Sequence, residues 1–351
     1  MGVENLTLED VREVAKKKLM GICGVYKICD GDSMRICQGQ SYGRELRFGG
    51  IGTGASFNNN ITALKKYKLK MRLIGANFEP NTTYNFFGRA LSMPIMGASV
   101  AGVNSFGGNE VISESEFCRA VVLGCQKAGT IGWRGDTYTY SLENSYGIDA
   151  ISEANGFGVK IVKPREQNVI KEFFNRAERV KAIAVGVDID GCGSYAMSTH
   201  NQPVYRKSIY EIKELVNSTH LPVIIKGIMS VEDAKDAVKA GASALVVSNH
   251  GGRVLDHTPG TADVLSDITA ELKGRIKIIV DGGIRTGYDI LKMLALGAEA
   301  VLIGRDIVRA AVGGGIEGVC IHMEYLQKTL AKAMKMTNCK NLSDITSTIL
   351  S

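Results

Sequence analysis

Eight short β-rich runs, each followed by a stretch of helical character, constrain this chain more than any other feature. They are MPIMGAS (93–99), GTIGWRG (129–135), GVKIVK (158–163), AIAVGVDI (182–189), LPVIIKGI (221–228), ALVVSN (244–249), KIIVDGG (277–283) and AVLIGR (300–305). Near-continuous apolar runs mark strands buried on both faces, the condition of a parallel sheet covered by helices. SVEDAKDAVKAGA (230–242) and TGYDILKMLALGA (286–298) lie between runs, each opening on a Ser or Thr cap and closing at a Gly, as helix ends prefer. Eight such units predict an α/β fold of the closed (β/α)8 TIM-barrel type. An open doubly wound sheet is the alternative.

Residues 1–90 read differently. LTLEDVREVAKKKLM has a helical pattern with Thr7 as its N-cap, a Gly-rich irregular stretch spans 38–56, and a polar helix or loop follows. The expected organisation is an N-terminal helical and Gly-rich extension (1–90) packed on a ligand-binding barrel with C-terminal helices (91–351). Gly50-Ile51-Gly52-Thr53-Gly54-Ala55 fits G-x-G-x-x-A. That fingerprint carries meaning only between a strand and a helix of a βαβ unit. Here it precedes the repeat, so it reads as a loop near the barrel mouth.

With 45% apolar and 22% charged residues, the 351-residue chain can fill a core of this size. Net charge is +6, and the main basic run, KKYKLKMR (65–72), reads as a solvated face or connection. No aromatic-interleaved basic stripe accompanies it, so nucleic acid is not an expected partner. A mild positive balance suits small anionic substrates. No apolar run reaches the roughly 18 residues a membrane span needs. MGVENLTLED lacks a signal-peptide layout, and Leu6 breaks the myristoylation pattern. A cytoplasmic protein is expected. Cys118, Cys125, Cys192, Cys320 and Cys339 are scattered and read as small buried groups. Cys23, Cys29 and Cys37 cluster but lack a fourth ligand and a C-x-x-C pair, so no metal is expected.

A barrel carries its chemistry just after its strands. Arg134, Lys163, Asp188, Lys226, His250, Arg253, Asp281, Arg285 and Arg305 fall at those places. The sixth run breaks off into Ser248-Asn249-His250-Gly251-Gly252-Arg253. An imidazole and a guanidinium around a glycine pair look like a base beside an anion clamp. The last two runs end Asp281-Gly282-Gly283-Ile284-Arg285 and Gly304-Arg305. Loops at this point commonly hold phosphate. Gly283 and Gly304 would let backbone N–H groups approach it, and Arg285 and Arg305 could add charge-assisted forks.

SNHGGR (248–253), IIKGIMSVEDA (224–234), VDGGIRTGYDILKMLALGAEAVLIGR (280–305) and AMKMTNCKNLSDI (333–345) together resemble the FMN-dependent α-hydroxy-acid oxidising family, which includes glycolate and lactate oxidases. SMPIM (92–96) and KAGTI (127–131) agree with its first two strands, and the resemblance covers about 90–350. It implies noncovalent FMN, with Asp281, Gly283, Arg285, Gly304 and Arg305 at the ribityl phosphate end. It also places Lys226 near the flavin N1 and O2, and Ser248, Gly135 and the backbone around Ser99 among the cofactor contacts. His250 would be the general base, Asp188 its carboxylate partner, and Arg253 the clamp for the carboxylate of a small anionic hydroxy acid. The product would be a 2-oxo acid, and the assembly a homotetramer.

The sequence departs from that family in the substrate pocket. Two family tyrosines are absent: Gly50 takes the place of one and Val162 that of the other. Lys160 falls where the family has a flavin-contacting glutamine; it would face the flavin's pyrimidine edge or, alternatively, point outward toward a helix. An arginine after the fourth strand is missing from DIDGCGSYAMS (188–198). Losing a buried hydrogen bond to a charged group costs about 1.5–3 kcal/mol. The expected substrate is therefore larger or differently shaped than glycolate or L-lactate, with one carboxylate on Arg253. Trp133, Arg134, Tyr195 and Tyr42 are candidates for compensating contacts. The loop 188–205, with Gly191, Gly193 and Ser194, is expected to cover the site. An FMN-dependent isomerase or reductase, and a flavin-binding protein without turnover, are the competing readings.

Overall fold

After a short hairpin, β1 (Tyr84–Phe86) and β2 (Arg89–Leu91), each apolar run contributes one strand. These are β3 (Ile95–Gly97), β4 (Gly132–Arg134), β5 (Gly158–Val162), β6 (Ala184–Asp188), β7 (Val223–Ile228), β8 (Ala244–Val247), β9 (Lys277–Val280) and β10 (Ala300–Ile303). They pair in parallel in chain order, and β10 returns to β3 to close the barrel. Closure excludes the open sheet. The computed structural model describes residues 6–20, 48–106, 108 and 110–351, so Cys23, Cys29, Cys37 and Tyr42 lie outside the described residues.

Side chains alternate across the barrel wall with a period of two. Trp133, Val159, Ile161, Ile224, Val246, Ile279 and Leu302 belong to the inner core. Val162, Val185, Val187, Ile225, Leu245, Val247, Val280 and Ile303 belong to the outer core beneath the helices. Both faces are apolar, which is why the runs look continuous in the sequence. Counting on by twos from the inner residues reaches Lys163, Asp188, Lys226, Ser248, Asp281 and Gly304. The last inward layer, at the C-terminal ends of the strands, is thus polar.

Among the described residues, two helices precede the barrel, α1 (Leu8–Leu19) and α2 (Ala55–Lys66). Within it come α3 (Glu114–Lys127), α4 (Tyr146–Glu153), α5 (Gln167–Arg179), α6 (Tyr195–Thr199), α7 (Ile209–Val216), α8 (Val231–Lys239), α9 (Thr261–Leu272), α10 (Gly287–Ala295) and α11 (Arg305–Met336). Thr7 caps α1 with Asp10 reciprocating, Ser230 caps α8, and Thr286 with Asp289 caps α10. Gly241 and Gly297 follow α8 and α10 in left-handed conformation, at φ 89° and 106°. The α11 segment bends at Gly314-Gly315. Of the scattered cysteines, Cys118, Cys125, Cys320 and Cys339 are buried, but Cys192 is exposed, because it sits on the loop after β6.

The hairpin was not foreseen in the sequence. It turns on Phe87 and Gly88, both at positive φ, the geometry of tight hairpins. Phe86 and Leu91 enter the inner core, with the Phe86 ring 6.0 Å from that of Trp133. Tyr84 bonds Glu299 just before β10, so the hairpin closes the N-terminal end of the barrel.

At the opposite end, α2 and the turn before it are fastened to the segment after β8. Asn60 Nδ2 donates to Asn249 Oδ1 (2.9 Å), and Thr261 N donates to Asn60 Oδ1 (3.1 Å). Thr53 donates through its N–H (2.6 Å) and hydroxyl (2.8 Å) to Asp256 Oδ2. Burial pushes the Asp256 carboxyl up, but the donors from Thr53, His257 and Ser56 outweigh it and hold it at about 2. The ordinary value is 3.8, so this anchor stabilises the fold above that pH and weakens as pH falls toward about 2. Thermal melts of wild type and Asp256→Ala should differ near pH 7, with the gap narrowing by about half toward pH 3. A gap independent of pH would contradict the anchor.

Candidate active site

A cavity opens at the C-terminal ends of the strands. Ser99, Lys226, His250, Arg253, Asp281, Gly283, Gly304 and Arg305 line it, as do Lys163 and the α6 residues Tyr195, Ala196 and Met197. Asp188 lies beneath, bonded to both lining lysines. Gly135, Lys160, Ser248 and Arg285 are not in the lining. Gly135 accepts a bond from Lys160, Ser248 Oγ accepts the His250 N–H, and the Arg285 N–H donates to Asp289.

Three consecutive left-handed residues, His250 (φ 57°), Gly251 (62°) and Gly252 (77°), set the imidazole at the barrel mouth. A non-glycine residue held there costs of order 1–3 kcal/mol and is a mark of functional sites. The turn is fixed by the Ser248 bond and by Gly252 N–H on the Asn249 carbonyl at 2.9 Å. Gly251 suits this turn, since at φ 62° any side chain would be strained and a Cβ would stand 2.6 Å from Arg305 Nη1 and displace it.

Two carboxylates serve this imidazole. Its Nδ1 lies 2.9 Å from Asp190 Oδ1 and 3.4 Å from Asp188 Oδ2. The expected partner, Asp188, is therefore the more distant one. It is drawn instead to Lys163 Nζ at 2.6 Å and Lys226 Nζ at 3.1 Å. Lys163 Nζ also lies 3.2 Å from His250 Nε2. An ammonium can only donate, so this contact assigns Nε2 as the acceptor and Nδ1 as the protonated nitrogen facing Asp190. Burial works against an ionised Asp188, but His250, Lys163 and Lys226 together hold its carboxyl well below the ordinary range. Burial and the adjacent Asp188 push the Asp190 carboxyl up, with His250 offsetting part of the effect. Burial opposes a charged Lys226, yet Asp188, Asp190 and Asp281 more than reverse this and raise it. Asp188, Asp190 and His250 offer ligand atoms within 4.8 Å of one another, but two ammonium groups already neutralise Asp188, a poor setting for a cation.

Lys160 requires a correction. It alternates with Val159 and Ile161, so it and Val162 face the helices and not the cavity. Lys160 is fully buried, over the rings of Tyr140 (5.0 Å) and Phe173 (5.5 Å). Burial pushes its ammonium down to about 8. A one-residue slip in a strand inverts every side chain, and the inward lysine here is Lys163, directly after β5. Trp133 fills the inner core, while Arg134 points outward over Phe117 (4.7 Å) and toward Glu114 (3.8 Å). Neither reaches the cavity; Tyr195 does. Reading the sequence missed Asp190 and gave Lys163 no role. Period-two counting reaches Lys163 once Val159 and Ile161 are known to face inward, which burial on both faces of the strand hides in the sequence. Asp190 lies on an irregular turn that no periodicity predicts.

The far end of the cavity suits a phosphate. Helix α11 begins there, with Gly304 before its first turn and no side chain capping it, which leaves N–H groups for an anion. A Cβ at Gly304 would meet nothing within 4 Å, so the backbone faces open space. Arg305 lines this end while tying the carbonyls of Phe48 (2.8 Å), Gly49 (3.2 Å) and Gly251 (3.0 Å) together. The Asp281 Oδ1 atom is buried and has no hydrogen-bond partner among the described residues. An elongated ligand with a phosphate at one end and polar groups along it, as FMN is, fits this donor set.

Comparison with known proteins agrees. Residues 44–209 and 193–351 match the model of the FMN-dependent dehydrogenase family. The chain is 31% identical to human 2-hydroxyacid oxidase 1 over 83% of its length and 87% of that protein's. It is 46% identical to the 2-hydroxyacid oxidase of Dictyostelium discoideum over 83% of its length and 81% of that protein's. A crystal structure of mandelate oxidase superposes with a TM-score of 0.78 at 26% identity, covering 99% of this chain and 98% of that one. Barrel, phosphate seat and relatives converge: this chain belongs to the FMN-dependent dehydrogenase family and is an FMN-dependent enzyme of the 2-hydroxy-acid-oxidising class.

Proposed function

We propose that the enzyme converts a 2-hydroxy acid larger than glycolate or L-lactate into its 2-oxo acid, with His250 as the general base. The observation that carries this reading is the imidazole whose Nδ1 is tied to Asp190 at 2.9 Å while Nε2 faces the same cavity as Arg253. That arrangement leaves a lone pair where a carbinol proton would arrive. Asp190 fixes the tautomer and, with Asp188, offsets the positive charge the imidazole gains. Arg253, on the cavity wall, would take the substrate carboxylate in a charge-assisted fork.

FMN, when bound, supplies the two-electron acceptor, and the protein supplies position and charge. Gly283, Gly304, Arg305 and the start of α11 would hold its phosphate. Lys226, anchored by Asp188, would place positive charge toward the flavin ring. Tyr195 and Met197 on α6 face the cavity and would shield the reacting carbon from water. Stacking of His200 on Tyr138 at 3.6 Å between ring centroids, and the bond from Arg165 to Gln202 (3.0 Å), hold this segment down. The larger-substrate reading rests on the lining. Ala98, Val100 and Ala101 are small, Gly50 stands where the family has a tyrosine, and β5 presents no tyrosine hydroxyl.

Two measurements check this reading. His250→Asn should keep FMN yet slow anaerobic flavin reduction by about 10²-fold or more; reduction at the wild-type rate would remove His250 as base. Stopped-flow bleaching by glycolate, L-lactate and (S)-mandelate should rank mandelate fastest, and oxidase-like rates with glycolate would refute the larger pocket.

A further inference from the structure

Among the described residues, Lys163 is the one cavity-lining ammonium that has no task so far. It continues the inward series Val159 and Ile161 of β5 one residue beyond the strand's end. Its side chain is only 9% exposed, and its Nζ is held between Asp188 Oδ2 (2.6 Å) and His250 Nε2 (3.2 Å). The position is built rather than incidental. The backbone N–H of Lys163 donates to Asp136 Oδ2 at 3.0 Å, and Asp136 is itself clamped by Arg165. Room for the side chain depends on Gly191, where a Cβ would stand 2.8 Å from Lys163 Cδ. Asp190 has a matching allowance: a Cβ at Gly227 would lie 2.6 Å from its Cγ.

Resting on the assignment of His250 as base, we propose that Lys163 binds the substrate's hydroxyl oxygen and offsets the negative charge on it as its proton passes to His250 Nε2. In the free site the ammonium donates to Nε2, the atom the carbinol O–H must reach. When that hydroxyl takes the seat on Nε2, the ammonium stays anchored on Asp188, within one hydrogen bond of the same place, and turns its proton to the carbinol oxygen. The O–H bond breaks, its proton moves to Nε2, and the oxygen ends as the carbonyl of the 2-oxo acid. The two electrons leave with the C–H bond to the cofactor of the established reaction. Charge-assisted donation of this kind to a developing oxyanion is commonly worth about 10- to 1000-fold in rate. Asp188 and Asp190 thus divide the work, one holding the ammonium groups and the other the imidazole.

A counterion for Asp188 alone would not distinguish ligands by their oxygen, and the test uses that difference. Wild-type and Lys163→Met holoenzymes are titrated with benzoylformate and phenylacetate, and with pyruvate and propionate, read by the flavin absorbance change. Each pair differs in the oxygen on the α-carbon. The variant should bind the 2-oxo acids about tenfold more weakly and the deoxy acids within about twofold of wild type, and flavin reduction should slow at least tenfold. Equal weakening of both members, or of neither, overturns the proposal. Lys163→Gln is read by the same difference should the methionine variant not fold. His250→Asn, run in parallel, separates the two assignments: normal reduction there removes the base, whereas the ligand comparison judges Lys163 without turnover.

Discussion

The buried carboxylate of Asp188, with an ammonium on each oxygen, is the interaction on which the mouth of this barrel depends. Removing a charge from water costs several kcal/mol unless it is paired. Here Lys163 and Lys226 pair with it at 2.6 and 3.1 Å, from the strands on either side of β6. Burial alone would neutralise Asp188, and the surrounding positive charge reverses this. With Asp188 so occupied, the imidazole turns to Asp190. Two carboxylates two residues apart are pushed in opposite directions, one held down by the charges around it and the other raised by burial and its neighbour.

This cluster is possible because every barrel strand obeys one alternation. On β5 to β9, apolar residues fill the inner core until the strand ends, and the next inward position is then polar. Lys163, Asp188, Lys226, Ser248 and Asp281 follow that rule on or just after β5 to β9. The N-terminal segment and the segment after β6 complete the cavity from outside the barrel. Phe57 and Asn60 of α2 border it, as do Tyr195 and Met197 of α6. Arg305 draws the turn before α2 onto the His250 loop, with its guanidinium 4.3 Å from the Phe57 ring centroid.

The barrel was legible because buried parallel strands leave continuous apolar runs, and the caps at Ser230 and Thr286 mark helix starts by simple chemistry. The glycines of the last two loops and the His250 turn were legible for a related reason: special backbone geometry demands particular residues. What escaped was register. In GVKIVK, apolar residues stand on both faces, so the pattern does not say which lysine is inward. Asp190 escaped because a short 3-10 turn after β6 sets its direction. The β1–β2 hairpin escaped because three-residue strands carry too little pattern to show.

The account stands on one protonation pattern, Nδ1–H of His250 held by Asp190, with Nε2 unprotonated and accepting from Lys163 in the free site. Nitrogen NMR of holoenzyme labelled with 15N-histidine reads it directly. The chain has five histidines, so the His250→Asn spectrum identifies the pair of signals. At neutral pH the account predicts a protonated, hydrogen-bonded Nδ1 and an unprotonated Nε2 for residue 250, with the Nδ1 signal displaced in Asp190→Asn. A resting tautomer with the proton on Nε2, or an Nδ1 signal indifferent to Asp190, would contradict it.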